Sequence, residues 1–122
     1  MKAIIIEDEH LAAQALTNLV SEIAPDIEII TVLQSTDESV EWFNANPMPN
    51  LVFMDIHLAD GSSFNIFDDV NITCPIIFTT AYDEYALKAF EVNSVDYLLK
   101  PIGRQELERA ITKVKRLIPN VD

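Results

Sequence analysis

The sequence contains little cysteine, little glycine and little positive charge. Its single cysteine, Cys74, cannot form a disulfide within the chain, and its place beside Pro75 and an apolar run predicts a small buried hydrophobe rather than a reactive thiol. The two glycines, Gly61 and Gly103, are too few for a loop that cradles nucleotide phosphates. With 8 Lys+Arg against 20 Asp+Glu, the net charge of −12 repels phosphate backbones and anionic lipid surfaces. We therefore expect no direct nucleic acid binding and no membrane binding by this chain.

A long hydrophobic run is also missing. The apolar start of the chain, residues 1–6, stops at Glu7, Asp8 and Glu9, so it is too short for the core of a signal peptide or for a membrane span. We expect a cytoplasmic protein.

The length and composition predict a single folded domain. A chain of 122 residues can bury one core but not a second independent one. Its 49% hydrophobic and 23% charged residues are near the average of globular proteins. We expect the domain to cover residues 1–117, and residues 118–122 to be a tail or the start of a linker.

Short apolar runs rich in β-branched residues alternate with longer segments of helical period. This alternation predicts five βα units, and therefore an α/β fold with a doubly wound five-stranded parallel sheet and helices on both faces. The predicted strands are Lys2–Ile6, Ile27–Leu33, Leu51–Met54, Ile76–Thr79 and Val95–Leu99.

Apolar stripes at helical spacing mark the first and last predicted helices. The stripes are Leu16, Leu19, Val20 and Ile23, and Leu107, Ala110, Ile111, Val114 and Leu117. Residues 35–38, Ser-Thr-Asp-Glu, resemble a capping box that starts another helix.

Polar residues stand at the ends of four predicted strands. Glu7 and Asp8 follow the first strand, Asp55 the third, Thr80 the fourth and Lys100 the fifth. Each has an ordinary structural explanation when taken alone: a helix N-cap for Asp8, turn residues for Asp55 and Thr80, and a solvated charge for Lys100. Taken together they point to a ligand site, because ligands of open α/β sheets bind beyond the carboxyl ends of the strands.

Three carboxylates at one rim need a cation. At contact distance they would repel one another by about 1 to 4 kcal/mol per pair, depending on the local dielectric. Oxygen ligands of this kind suit Mg²⁺. A transition metal is disfavoured, because neither His10 nor His57 has a second His or Cys at ligand spacing.

The order of these strand ends, an acidic pair, Asp, Thr-Ala and Lys-Pro, resembles the receiver domain of two-component response regulators over Met1 to about Leu117. Residues 78–86 and 95–102 are similar to the receiver domains of LytTR-type transcription regulators. The resemblance implies the flavodoxin-like strand order 2-1-3-4-5.

The resemblance also implies the parts of a phosphoacceptor site. Asp55 would be the phosphoacceptor, Asp8 would bind Mg²⁺ directly, Glu7 would act through water, and His57 would offer its backbone carbonyl to the metal. Glu7 departs from the more usual aspartate, and residues 56–61 lack the proline often found there.

Three further residues match positions that contact the phosphoryl group or respond to it in this family. Thr80 and Lys100 would each contact a phosphoryl oxygen, and Tyr97 matches the aromatic switch position. The implied domain is a switch rather than an enzyme, although it would catalyse its own phosphoryl transfer and slow dephosphorylation.

The resemblance identifies partners as well. A sensor histidine kinase or a small acyl phosphate would supply the phosphoryl group, and a DNA-binding output domain outside this chain would control transcription. A homodimer would use the face of the fourth helix, fifth strand and fifth helix. The fourth helical segment contains Tyr85, Leu87, Lys88 and Phe90, and packing of Leu87 and Phe90 on the sheet is the alternative.

Two other functions remain open on the sequence alone. A haloacid dehalogenase-type phosphatase also uses an aspartate nucleophile and Mg²⁺. That family has an Asp-x-Asp motif, whose second acid is missing here because His57 stands two residues after Asp55. A flavodoxin-like carrier would need hydroxyl and amide donors after the first strand, where Glu7, Asp8 and Glu9 would repel an anionic ligand. Turnover of a phosphomonoester or a bound yellow cofactor would favour these alternatives.

Overall fold

The computed structural model describes residues 1–81 and 94–117. In chain order the first elements are strand β1 (Lys2–Ile6), helix α1 (His10–Ile23), strand β2 (Glu28–Leu33), helix α2 (Thr36–Ala45) and strand β3 (Leu51–Asp55). They are followed by the short strands β4 (His57–Leu58) and β5 (Gly61–Ser62), a 3₁₀ helix (Ser63–Asp68), strands β6 (Ile76–Thr80) and β7 (Ser94–Leu99), and helix α3 (Arg104–Leu117).

The main sheet has five parallel strands in the order β2-β1-β3-β6-β7. Because β4 and β5 form only a small separate hairpin, this is the predicted order 2-1-3-4-5. The predicted strands are confirmed to within one residue at each end. Every residue of β3 and of β6 is buried, which explains the apolar runs of residues 51–54 and 76–78.

Side chains that alternate along the strands build one core on each face of the sheet. Ile5, Phe53 and Ile77 point to the face covered by α1 and α3. Ile4 and Phe78 point to the opposite face, where α2 and the 3₁₀ helix pack. This two-sided burial confirms the doubly wound arrangement.

The helix predictions hold in part. Leu16 and Val20 are buried, and so are Leu107, Ala110, Ile111 and Val114. The assignment of Leu117 to the buried stripe was wrong, because Leu117 is the last residue of α3 and is 63% exposed. The unit after β3 has a 3₁₀ helix in place of an α-helix. The fourth helical segment and the tail of residues 118–122 lie outside the described residues.

The predicted capping box at α2 forms with one change of partner. The Ser35 hydroxyl accepts a hydrogen bond from the Glu38 N–H at 3.0 Å. The Glu38 carboxylate accepts from the Gln34 N–H at 3.3 Å, and no bond from it to the Ser35 N–H is seen.

Among the described residues, none of the helices combines the length and the apolar character needed to cross a bilayer.

Cys74 is a buried free cysteine, as predicted. Burial raises the pKa of its thiol to about 12, so the group stays protonated at neutral pH.

Ser63 has a buried hydroxyl group without a hydrogen-bond partner among the described residues. Its side chain is fully buried, and its Oγ has no hydrogen-bond partner within the part of the chain that the structure describes. Replacing Ser63 with alanine is therefore expected to raise the free energy of unfolding, by about 1 kcal/mol, because no hydrogen bond is lost and a desolvation cost is removed. Urea unfolding followed by circular dichroism measures this change.

Ser39→Ala is the matched control for this prediction. Ser39 is equally buried, but its Oγ donates to the Ser35 carbonyl at 2.7 Å, so its removal should lower the free energy of unfolding by about 1 kcal/mol. Equal losses in the two variants would contradict the assignment of Ser63 as an unpaired group.

Candidate functional site

The sheet order brings the polar strand ends to one rim. Glu7 and Asp8 follow β1, Asp55 ends β3, Thr80 ends β6 and Lys100 follows β7. These four strands are neighbours in the sheet, and parallel strands present their carboxyl ends at the same edge. A cleft of about 330 Å³ opens there. Its lining consists of Asp8, Glu9, Ala12, Asp55, His57, Leu58, Thr80, Ala81 and Lys100.

Three carboxylates meet at this rim. One oxygen each of Glu7, Asp8 and Asp55 lies within 4.8 Å of the others. Glu7 is only 4% exposed and Asp55 only 6%, so water screens their repulsion poorly. The convergence that the strand ends predicted is present, and such an oxygen-only group has the chemistry that a hard divalent cation requires.

Lys100 is the cation that the structure itself places among the carboxylates. Its Nζ donates a hydrogen bond to Asp55 Oδ2 at 2.9 Å and another to Glu7 Oε1. Burial by itself would lower the pKa of Lys100, but the hydrogen bonds and charges of Glu7 and Asp55 outweigh it and raise that pKa. Lys100 is therefore a charged, paired group of the site and not a solvated surface lysine.

Asp8 stands at the more open side of the group. Burial, followed by the contact with the Glu7 carboxylate, raises the pKa of the Asp8 carboxyl. The alternative that Asp8 caps the first helix fails, because the N-cap of α1 is Glu9, whose side chain makes no capping hydrogen bond. Asp8 lines the cleft, where a cation would offset the repulsion from Glu7.

Both oxygens of Asp55 are engaged. Oδ2 accepts from Lys100, and Oδ1 accepts from the backbone N–H of His57 at 3.3 Å. Asp55 thus makes the local turn contact expected of a turn residue, but the charged pair with Lys100 goes beyond that explanation. His57 is an exposed residue that lines the cleft.

Thr80 and Tyr97 lie on the inner side of the same region. Thr80 is fully buried, lines the cleft, and accepts the backbone N–H of Lys100 on its carbonyl oxygen at 2.7 Å. Tyr97 pairs with Phe78 in the sheet, and its half-buried side chain packs against the core on the α2 face. Their roles as phosphoryl contact and switch stay predictions.

Sequence reasoning missed two features of this region. It placed a water between Glu7 and the metal but did not foresee the direct Glu7–Lys100 ion pair. It also missed the contact of Asp60 with α2, described below. The excess of acids over bases at the strand ends was a usable signal for the first. The second had no local signal, because Asp60 is 24 residues away from its main partner, Thr36.

The fold and the rim define a class: a doubly wound α/β domain with an acidic, lysine-containing cleft at a topological switch point. The chain belongs to the response regulator receiver domain family, whose model matches residues 3–112.

The comparisons also identify similar proteins. The chain is 38% identical over 119 residues to the sensory transduction protein LytT of Enterococcus faecalis, covering 95% of this chain and 48% of that protein. It is 38% identical over 118 residues to the transcriptional regulatory protein LytR of Staphylococcus aureus, covering 94% and 47%. The chain thus spans about half the length of these curated relatives. Both are LytTR-type regulators, in agreement with the resemblance.

Solved structures agree with this assignment. The response regulatory domain of mrkE from Klebsiella pneumoniae superimposes with a TM-score of 0.81 at 30% identity, covering 96% of this chain and 97% of that one. A response regulator receiver domain protein from Clostridium thermocellum gives a TM-score of 0.77 at 25% identity, covering 95% of each chain. The chain is a receiver domain of two-component signalling.

Proposed function

We propose that this domain accepts a phosphoryl group on Asp55 in the presence of Mg²⁺ and uses it as a conformational switch. The observation that supports it most strongly is the Lys100 ammonium between Asp55 and Glu7, with Asp8 beside them at an open cleft. The nucleophile, its charge partner and an acidic group of metal-binding type stand at one place.

The charges of the rim favour a divalent cation. Three carboxylates face one ammonium, which leaves two formal negative charges in excess before any phosphoryl group arrives. Asp8, Asp55 and the His57 carbonyl would hold Mg²⁺, with Glu7 acting through water. When bound, Mg²⁺ would neutralise charge on the phosphoryl oxygens and orient the group for in-line transfer.

The protein's own residues would do the rest. An Asp55 carboxylate oxygen forms the new bond to phosphorus as the bond to the histidine nitrogen of the donor breaks, giving an acyl phosphate. Lys100 exchanges its contact with Asp55 for a phosphoryl oxygen, and the Thr80 hydroxyl contacts another. Because the Lys100 ammonium already lies 2.9 Å from Asp55, charge stabilisation is the main contribution.

The added phosphoryl charge, about −1.5 to −2, is the signal. Thr80 would move towards it and Tyr97 would turn inward behind Thr80, which reshapes the face that includes β7 and α3. The donor would be a sensor histidine kinase in the cytoplasm. The output would be transcription, through a domain outside this chain, with the reshaped face forming a homodimer and the acidic receiver making no DNA contact.

The aspartate-nucleophile phosphatase is the weaker alternative. The Asp-x-Asp motif of that enzyme class has a second acid two residues after the nucleophile. Here that position is His57, which donates its backbone N–H to Asp55 and has an exposed imidazole. The flavodoxin-like carrier is weaker too, since Glu7 and Asp55 make the rim acidic.

Intact-mass measurement after incubation with Mg²⁺ and acetyl phosphate tests the proposal. We expect a mass increase of one phosphoryl group per chain, its loss when EDTA replaces Mg²⁺, and its location in the peptide that contains Asp55. The adduct should decay to inorganic phosphate. An EDTA-insensitive adduct, an adduct on another peptide, or turnover of a phosphomonoester without any adduct would contradict the proposal.

A further inference from the structure

Asp60 joins the turn that follows the site to the first turn of α2. Its Oδ1 accepts from the Thr36 N–H at 2.9 Å. Its Oδ2 accepts from the Thr36 hydroxyl at 2.7 Å, from the Thr36 N–H at 3.1 Å and from the Asp37 N–H at 3.3 Å. One exposed carboxylate therefore makes a bidentate, charge-assisted contact with a segment distant in sequence.

The contact completes the cap of α2. A helix leaves its first N–H groups without partners inside the helix, and side chains or water must satisfy them. Ser35 satisfies the Glu38 N–H, whereas the Thr36 and Asp37 N–H groups bond to Asp60. The hydrogen bonds from Thr36 lower the pKa of Asp60, so the carboxylate is charged at neutral pH, where it also interacts favourably with the helix dipole.

The other end of this contact is the wall of the cleft. Asp60 lies in the two-residue turn of the β4–β5 hairpin, in which His57 pairs with Ser62 and Leu58 with Gly61. Gly61 has a φ of +130°, which lets the chain reverse at this point. His57 and Leu58 line the cleft beside Asp55. A displacement of the hairpin would therefore displace the His57 backbone.

We propose that Asp60 is a positioning residue for the cation site, because it clamps the β4–β5 hairpin to α2 and thereby fixes the His57 carbonyl at the rim. This inference rests on the proposed function for the identity of the cation. It assigns to Asp60 a role that the strand-end residues do not have, since Asp60 lies at the far end of the hairpin from Asp55.

A simpler explanation competes with this one. Leu58 is only 7% exposed and packs in the core on the α2 face, so it could fix the hairpin by itself and leave Asp60 as a helix cap. The two explanations differ in a measurable way. Loss of a helix cap lowers the free energy of unfolding but leaves the affinity of the folded protein for Mg²⁺ unchanged, whereas loss of a positioning contact weakens Mg²⁺ binding.

The test compares three variants: Asp60→Ala, Asp60→Asn and Asp37→Asn. Asparagine caps helices as well as aspartate does, so Asp60→Asn removes the charge and keeps one of the two acceptor atoms of the clamp. Asp37→Asn removes one negative charge from the helix turn that Asp60 caps, and the Asp37 carboxylate takes no part in the bonds to Asp60. Mg²⁺ dissociation constants are measured from amide chemical shifts, well below the unfolding temperature of each variant.

We expect Asp60→Ala to weaken Mg²⁺ binding about tenfold, the lower end for residues that orient metal ligands, and the other two variants to stay within about twofold of wild type. Phosphoryl uptake by Asp60→Ala should require more Mg²⁺ but reach the wild-type rate at saturation. Equal affinities of Asp60→Ala and wild type would overturn the inference. So would equal weakening in Asp37→Asn, which would assign the effect to charge alone. A wild type without Mg²⁺ binding would instead overturn the proposed function itself.

Discussion

Asp55→Asn is expected to lower the rate of phosphoryl uptake from acetyl phosphate by at least about a thousandfold, which corresponds to roughly 4 kcal/mol in activation free energy. The amide oxygen carries no negative charge and cannot form a stable acyl phosphate, so the proposed nucleophile is lost. The variant also loses the charged partner of Lys100 that lies 2.9 Å away in the native site. Intact-mass time courses in Mg²⁺ measure the rate.

A matched acidic residue provides the control. Asp68 is an exposed residue of the 3₁₀ helix, and it does not line the cleft. Asp68→Asn removes the same charge from the chain and should leave the rate within about twofold of wild type, because surface charges separated from the site are screened by salt. Phosphoryl uptake by Asp55→Asn at the wild-type rate would show that another residue is the acceptor.

Lys100→Met is expected to lower the free energy of unfolding in EDTA by about 2 to 3 kcal/mol, because it leaves Glu7 and Asp55 as buried carboxylates without a cation. This loss of unfolding free energy is smaller than for a fully buried pair, since 24% of the Lys100 side chain is exposed. Methionine retains most of the length of the lysine stem, so the loss reports mainly on charge. Chemical denaturation measures it.

Two further conditions sharpen this prediction. Mg²⁺ should reduce the loss, because a cation that binds only the native state offsets the same carboxylates. Adding Glu7→Gln to Lys100→Met should restore part of the stability, since one of the two uncompensated charges is then removed. Retention of wild-type stability by Lys100→Met in EDTA would show that the ion pairs contribute nothing.

An exposed ion pair supplies the comparison for Lys100. Lys115 Nζ lies 3.0 Å from Asp26 Oδ1, with side chains that are 43% and 59% exposed. Lys115→Met should cost no more than about 1 kcal/mol, as is usual for surface pairs. The difference between the two lysine variants isolates the effect of burial.

The pH dependence of the Lys100 contribution follows from its raised pKa. A base whose pKa is higher in the folded state contributes stability that is fully present below its unfolded value of 10.5. That stability is lost as the pH rises through the folded value. The difference between wild type and Lys100→Met should therefore be constant through neutral pH and shrink in alkaline solution.

In the proposed switch Lys100 has a second role, as a contact for the phosphoryl group. In the structure Lys100 binds Asp55 and Glu7, whereas contact with a phosphoryl oxygen would require it to leave the Asp55 carboxylate. The ammonium thus stabilises the site before phosphorylation and is already within reach of the group that arrives. This is a form of electrostatic preorganisation, in which little rearrangement is needed when the charge changes.

Much of the fold was predictable from local patterns. Apolar, β-branched runs such as residues 51–54 and 76–79 identified the strands, because strands buried on both faces are apolar over most of their length. The buried stripe of α3 followed from helical spacing. Leu117 was misassigned because periodicity continues to the end of a helix even where nothing covers its last turn.

The candidate site was also predictable only in part. The sequence alone determined which residues reach the rim, since parallel strands in this order bring the ends of β1, β3, β6 and β7 to one edge. Only the tertiary structure decided which of them touch. The Lys100–Glu7 pair joins residues 93 apart, and the Asp60–Thr36 contact joins residues 24 apart. Such contacts depend on side-chain reach and burial across several elements, and local sequence patterns encode neither.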